Sequence, residues 1–325
     1  VRDLEQVRAI MLGELECWPW QAVTAMRGLV ERQLQQPGKQ LRPRLGLAIA
    51  DVFGARPEPT YPAVASIEFY HAASLILDDI QDGSDFRHGA RSLHTTVGTG
   101  MAINVAATIR SLSYHTIHRS SSLRDDQKLD MHRRLDTAAT HLLLGQSIDI
   151  GWNLDWYPAR EDFPYEQMAA WKTGALFGCA ASMAAVASEV ALERVDAAEQ
   201  IGTAFGVLYQ MIDDYRDTFG TATGAEPVGD DIARGRPGYP EIVLRRVNPG
   251  SAARAGSHAQ IRELMKVLGI EHIVRRRILR EACSVVEAAR TLNAHAGGVA
   301  ELVASVLALV GMNLNQPGAA CQESA

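Results

Sequence analysis

A chain of 325 residues with 47% hydrophobic content can bury a sizeable core, which excludes wholesale disorder. Its 32 Lys and Arg against 38 Asp and Glu give a formal net charge of -6, and no basic tract is long enough to serve as a nucleic-acid footprint. Cys17, Cys179, Cys283 and Cys321 lie far apart without a CxxC pair, so neither a zinc site nor a disulfide framework is expected, and no apolar run suggests a signal peptide or a membrane span.

Apolar residues recur at three and four positions through nearly every segment, and alternating stretches are scarce, so the periodicity predicts an all-α chain. Breaks are expected at Gln36-Pro37-Gly38, Gly54 to Pro62, Asp82 to Gly89, Gly151 to Pro164, Gly220 to Pro240 and Asn248-Pro249-Gly250. Ile67 to Leu77, Trp171 to Val190 and Ile201 to Ile212 are more apolar than a surface helix needs and read as buried helices. The expectation is one domain over 1–325, frayed after about Gln316, in a reducing cytoplasm.

Two of the apolar windows end in the same acidic pattern. Asp78-Asp79-Ile80-Gln81-Asp82 and Asp213-Asp214-Tyr215-Arg216-Asp217 each place like charges one helical turn apart, an arrangement that costs stability. Paired carboxylates suit a hard divalent cation, and magnesium completes its octahedron with water and phosphate oxygens. A solvated helix end would explain one such cluster; two copies make Asp78, Asp79, Asp82, Asp213, Asp214 and Asp217 candidate metal ligands for binding a diphosphate.

With further motifs in order, the chain resembles the trans-isoprenyl (polyprenyl) diphosphate synthase family, of farnesyl and geranylgeranyl diphosphate synthase type. Gly38-Lys39-Gln40-Leu41-Arg42-Pro43 is similar to GKxxRP, Arg87 to the first arginine of RRG with His94 following, and Gly145-Gln146-Ser147-Ile148-Asp149 to GQxxD. Lys172-Thr173-Gly174 resembles KTG, Gln210 opens QxxDDxxD, and Gly229 to Arg236 resembles the GxDxxxGK loop.

That resemblance implies a single large helical bundle of the isoprenoid synthase type with a central active-site cavity. It implies a prenyltransferase that ionises an allylic prenyl diphosphate and condenses it with isopentenyl diphosphate to a longer trans-prenyl diphosphate. Three Mg2+ ions would bridge the diphosphate, Lys172, Thr173, Gln210 and Arg87 would be catalytic, and Lys39, Arg42, His71, His88 and Arg236 would bind substrate. A homodimer is implied as well. Product length would be read upstream of the first cluster, where small Ala73 and Ser74 and the bulkier Tyr70 point to a farnesyl to geranylgeranyl length.

The pattern is broken at several positions. His88 stands for the second arginine of RRG, Glu226 for a lysine, Arg236 for another lysine, and Ala106-Ala107 for a Gly-Asp pair. Three alternatives therefore stay open: a transferase with another acceptor such as an indole derivative, a terpene cyclase on the same scaffold, and a non-catalytic partner subunit.

Overall fold

The computed structural model describes residues 2–35, 38–87, 89–154, 156, 165–220, 238–250, 258–293 and 296–316. His88, Glu226 and Arg236 lie outside the described residues. The described chain is all-α apart from a two-residue hairpin, β1 (Phe86–Arg87) paired antiparallel with β2 (Ala90–Arg91). Backbone contacts divide it into two compact units, Val1–Thr137 with Cys179–Glu199, and Ala138–Gly178 with Gln200–Ala325.

The first unit includes α1 (Arg2–Leu15), α2 (Thr24–Leu34), α3 (Leu41–Val52), α4 (Thr60–Asp82), α5 (Leu93–Val97) and α6 (Thr99–Arg119). α4 is its centre, because Val64, Ala65, Phe69, Ala73 and Ile76 fill one face and pack with Ala102, Val105, Ala106 and Ile109 of α6. α1 adds Val7, Met11 and Leu15 to the same core, and α2 adds Val30 and Leu34. Tyr61 ties α4 to α1 by donating to Asp3 Oδ1 at 2.6 Å.

What stops α4 decides where its aspartates stand. Gly83 adopts φ 60°, a left-handed conformation that suits glycine, and the Ser84 N–H closes on the Asp79 carbonyl at 2.9 Å. Asp78, Asp79 and Asp82 therefore occupy the last turns of the helix, where the macrodipole is negative and each carboxylate costs about 0.3–1 kcal/mol before any partner is counted.

The other helices are α7 (Asp125–Asn153), α8 (Tyr165–Ala169), α9 (Ala175–Ala187), α10 (Leu192–Phe219), α11 (Tyr239–Val247), α12 (His258–Val267), α13 (Ile270–Leu292) and α14 (Gly297–Leu307). α8 and α9 are joined without a break by a π-turn, Ala170–Gly174. In the second unit the glycines explain how closely backbones approach. A Cβ on Gly145 would collide with the Lys172 backbone, and one on Gly206 would stand 2.5 Å from the Gly174 Cα. The C-terminal carbonyls of α10 are capped from α12, where Arg262 donates to the Phe219 and Gly220 oxygens at 3.0 and 3.2 Å.

Cys17 and Cys179 are free, as expected, but Cys283, 1% exposed on α13, is disulfide-bonded, which corrects the reading of the cysteines at that position. Spacing along a sequence does not report which distant side chains the fold brings together.

Candidate active site

One cluster of candidate residues is built on the end of α4 and the hairpin that follows. Arg87 on β1 turns back so that its Nε donates to Asp79 Oδ1 at 2.7 Å and its Nη2 to Asp78 Oδ2 at 3.0 Å. Asp79 is 5% exposed, and burial pushes its carboxyl above the usual range while Arg87 holds it down. Asp78 and Asp82 are only half-buried, one turn apart on the same face.

Lys39 is exposed just before α3, where Gln40 takes a left-handed φ of 48°, and Arg42 is half-buried in the first turn. His71 is half-buried on α4, and its carbonyl accepts a hydrogen bond from Ser74 Oγ at 2.8 Å. One residue here escaped the sequence reading. Glu68, three positions before His71, is 7% exposed, its Oε2 has no hydrogen-bond partner, and burial pushes its carboxyl up to about 7 against the opposing charge of Arg42.

Of the residues expected to read product length, Ala73 is spent on core packing, whereas Tyr70 is buried, and burial pushes its hydroxyl pKa up against the charge of Arg110.

Another cluster of candidate residues surrounds the π-turn in the second unit. Lys172 Nζ donates to Asp149 Oδ2 at 2.5 Å, which links the KTG and GQxxD motifs through one ion pair, with both side chains largely covered. The π-turn widens the helix at this residue, and Gly145 lets α7 lie against it. The Thr173 hydroxyl donates to Gln210 Oε1 of α10.

Within the second aspartate cluster the three carboxylates have different surroundings. Asp213, 46% exposed, pairs with Arg216 at 3.1 Å, and Asp217 is half-buried one turn further on. Asp214 is 7% exposed: its Oδ2 accepts from the Tyr165 hydroxyl at 2.6 Å and the Tyr239 N–H at 2.8 Å, and its Oδ1 accepts from Gln210 Nε2 at 2.8 Å. Burial pushes this carboxyl up to about 6, and the three donors oppose the rise. Tyr165 and Tyr239 were not foreseen; Tyr165 stands seven residues before Lys172, two turns along the same helical run, which is the signal that could have found it.

Among the described residues no three His, Cys, Asp or Glu converge as a preassembled metal cage. The donor set nevertheless suits magnesium, which needs one or two carboxylates per ion and takes its other oxygens from water and phosphate. Asp78, Asp82, Asp213 and Asp217 are partly exposed, although Asp78 also accepts from Arg87 and Asp213 pairs with Arg216, whereas Asp79 and Asp214 are buried and held by protein donors.

The family model for polyprenyl synthetase matches residues 23–273, and the chain belongs to that family. A short chain isoprenyl diphosphate synthase of Methanothermobacter thermautotrophicus is 28% identical over 207 residues, covering 63% of this chain and 62% of the relative's own length. A geranylgeranyl pyrophosphate synthase of Eremothecium gossypii is 27% identical over 241 residues, 74% of this chain and 75% of its own. The backbone is also similar to that of a Corynebacterium glutamicum geranylgeranyl pyrophosphate synthase complexed with isoprenyl diphosphate and magnesium. The TM-score is 0.80 at 23% identity, with 94% of this chain and 98% of that one covered, a likeness of fold.

Proposed function

We propose that the chain is a magnesium-dependent prenyltransferase that ionises an allylic prenyl diphosphate and condenses it with isopentenyl diphosphate to a longer trans-prenyl diphosphate. The observation that carries this reading is that two long helices, α4 and α10, each carry near their C-terminal end a pair of partly exposed aspartates one turn apart, Asp78 with Asp82 and Asp213 with Asp217. Two such pairs oppose fold stability and serve a diphosphate chemistry. Membership of the polyprenyl synthetase family supports the same reaction.

Bound magnesium supplies Lewis-acid stabilisation of the departing diphosphate. Asp78, Asp82, Asp213 and Asp217 are the residues that would hold it. Arg87 and Lys172, each fixed by a carboxylate, add positive charge that needs little reorganisation as the leaving group gathers electrons. Thr173 and Gln210 offer oxygen dipoles to the allylic cation without being strong nucleophiles. Lys39, Arg42 and His71 hold the acceptor's diphosphate, and the released diphosphate takes the final proton. Apolar helix walls keep water from quenching the cation. The reading extends to a homodimer in the cytoplasm. No helix among the described residues is long and apolar enough to cross a membrane.

Incubation with magnesium and geranyl, farnesyl or geranylgeranyl diphosphate, each with and without isopentenyl diphosphate, tests it. Elongated diphosphates support the proposal. Hydrocarbons formed without acceptor point to a cyclase, turnover only with a foreign nucleophile points to another transferase, and no ionisation under any condition contradicts the proposal.

A further inference from the structure

The hydrogen bonds around Asp214 have a single polarity. An ionised carboxylate accepts and cannot donate, so the Gln210 amide must turn its Nε2 towards Asp214 and its Oε1 the other way, where the Thr173 hydroxyl donates to it. Gln210 and Asp214 are four residues apart on one face of α10, so the contact follows from the helix itself. The other carboxylate oxygen is held by Tyr165, fully buried, and by the Tyr239 N–H at the start of α11. That helix start can come so close because residue 238 is glycine: a Cβ there would stand 3.0 Å from the Asp214 Cβ.

We propose that Tyr165 and Asp214 are positioning residues for the reaction rather than a bystander and a metal ligand. Tyr165 and Tyr239 fix Asp214, Asp214 turns the Gln210 amide, and Gln210 Oε1 accepts the hydrogen bond from the Thr173 hydroxyl. With its O–H directed at Gln210, the Thr173 oxygen turns its lone pairs the other way, the electrostatic partner an allylic cation requires. A reversed amide would present N–H groups and force the Thr173 proton outward, towards positive charge. This inference rests on the proposed function and gives one side of that site its orientation.

The test exchanges the polarity and then restores it. In Asp214→Asn, the new amide keeps its oxygen towards Tyr165 and Tyr239 and turns its NH2 towards Gln210, which must flip. In Asp214→Asn with Gln210→Glu, one glutamate oxygen accepts from the asparagine and the other from Thr173, so the original direction returns at the same total charge. Diphosphate release from farnesyl diphosphate is measured against magnesium concentration for these variants, Tyr165→Phe and Asp213→Asn.

The single Asp214 variant is expected to lose about a hundredfold in kcat with its half-activating magnesium concentration unmoved, and the double variant to recover at least about tenfold. Tyr165→Phe, which conserves the ring, is expected to lose about tenfold in kcat at unchanged KM. A magnesium requirement raised in Asp214→Asn as in Asp213→Asn, or a double variant no better than the single one, overturns the inference while leaving the proposed function standing. Full activity in Tyr165→Phe does the same. A wild type that ionises no allylic diphosphate overturns both.

Discussion

The guanidinium of Arg87 bridges two neighbouring aspartates, with its Nε 2.7 Å from Asp79 Oδ1 and its Nη2 3.0 Å from Asp78 Oδ2. Arg87 thus offsets the buried Asp79 at the negative end of α4, while Asp78 and Asp82 stay partly exposed. Replacing Arg87 by alanine strands that carboxylate. We expect a loss of about 1–3 kcal/mol in urea unfolding, less than for a wholly buried pair because Arg87 is itself 32% exposed. Lysine should restore part of the stability but little activity, since an ammonium cannot span two carboxylates as a planar fork does.

Gly145 sets the distance between α7 and the Lys172 turn. Gly145→Ala places a methyl against the Lys172 backbone and is expected to cost about 1–3 kcal/mol. It should also raise KM for the allylic substrate, because the displaced turn carries Lys172 away from Asp149. Unfolding and steady-state assays on one preparation check both parts.

Stability should depend on pH through Glu68. Its carboxyl is raised from 4.5 to about 7 in the folded chain, so between those values the native state holds the extra proton. Stability is then greatest below about pH 4.5 as far as this group is concerned, falls as pH rises towards 7, and is level above. The span is on the order of 3 kcal/mol. Asp214, raised to about 6, acts in the same direction over a narrower range. Glu68→Gln removes the larger contribution, and a pH series of urea midpoints that keeps its full slope in that variant contradicts this assignment.

Much of this was legible in the sequence, and the omissions have physical causes. The 3.6-residue period gave the helices, and the long windows ending in Asp82 and Asp217 lie in α4 and α10. The turn between α6 and α7 contains neither glycine nor proline. It is held by the Gln127 side chain accepting from the Arg124 N–H at 3.0 Å, a cap that leaves no break in composition. The Glu189 turn, at φ 58°, is hidden in the same way. Motif spacing put all six aspartates on one footing, yet Asp79 and Asp214 are claimed by Arg87, Tyr165, Tyr239 and Gln210, partners that only the folded chain assembles. The π-turn at Lys172 was equally invisible, because no residue in it marks a π-turn rather than an α-helix and the Gly145 contact is made from 27 residues earlier, counting from 172 to 145.

The central claim is that both partly exposed aspartate pairs serve one metal-dependent ionisation, and the direct measurement is diphosphate release from an allylic substrate across a magnesium titration. Wild type should lose all release in excess chelator and regain it with added magnesium. Asp78→Asn and Asp213→Asn should each lower kcat by at least about a hundredfold and raise the magnesium concentration needed for half activity. Release that survives the chelator, or that survives loss of either aspartate with an unchanged magnesium requirement, would contradict the account.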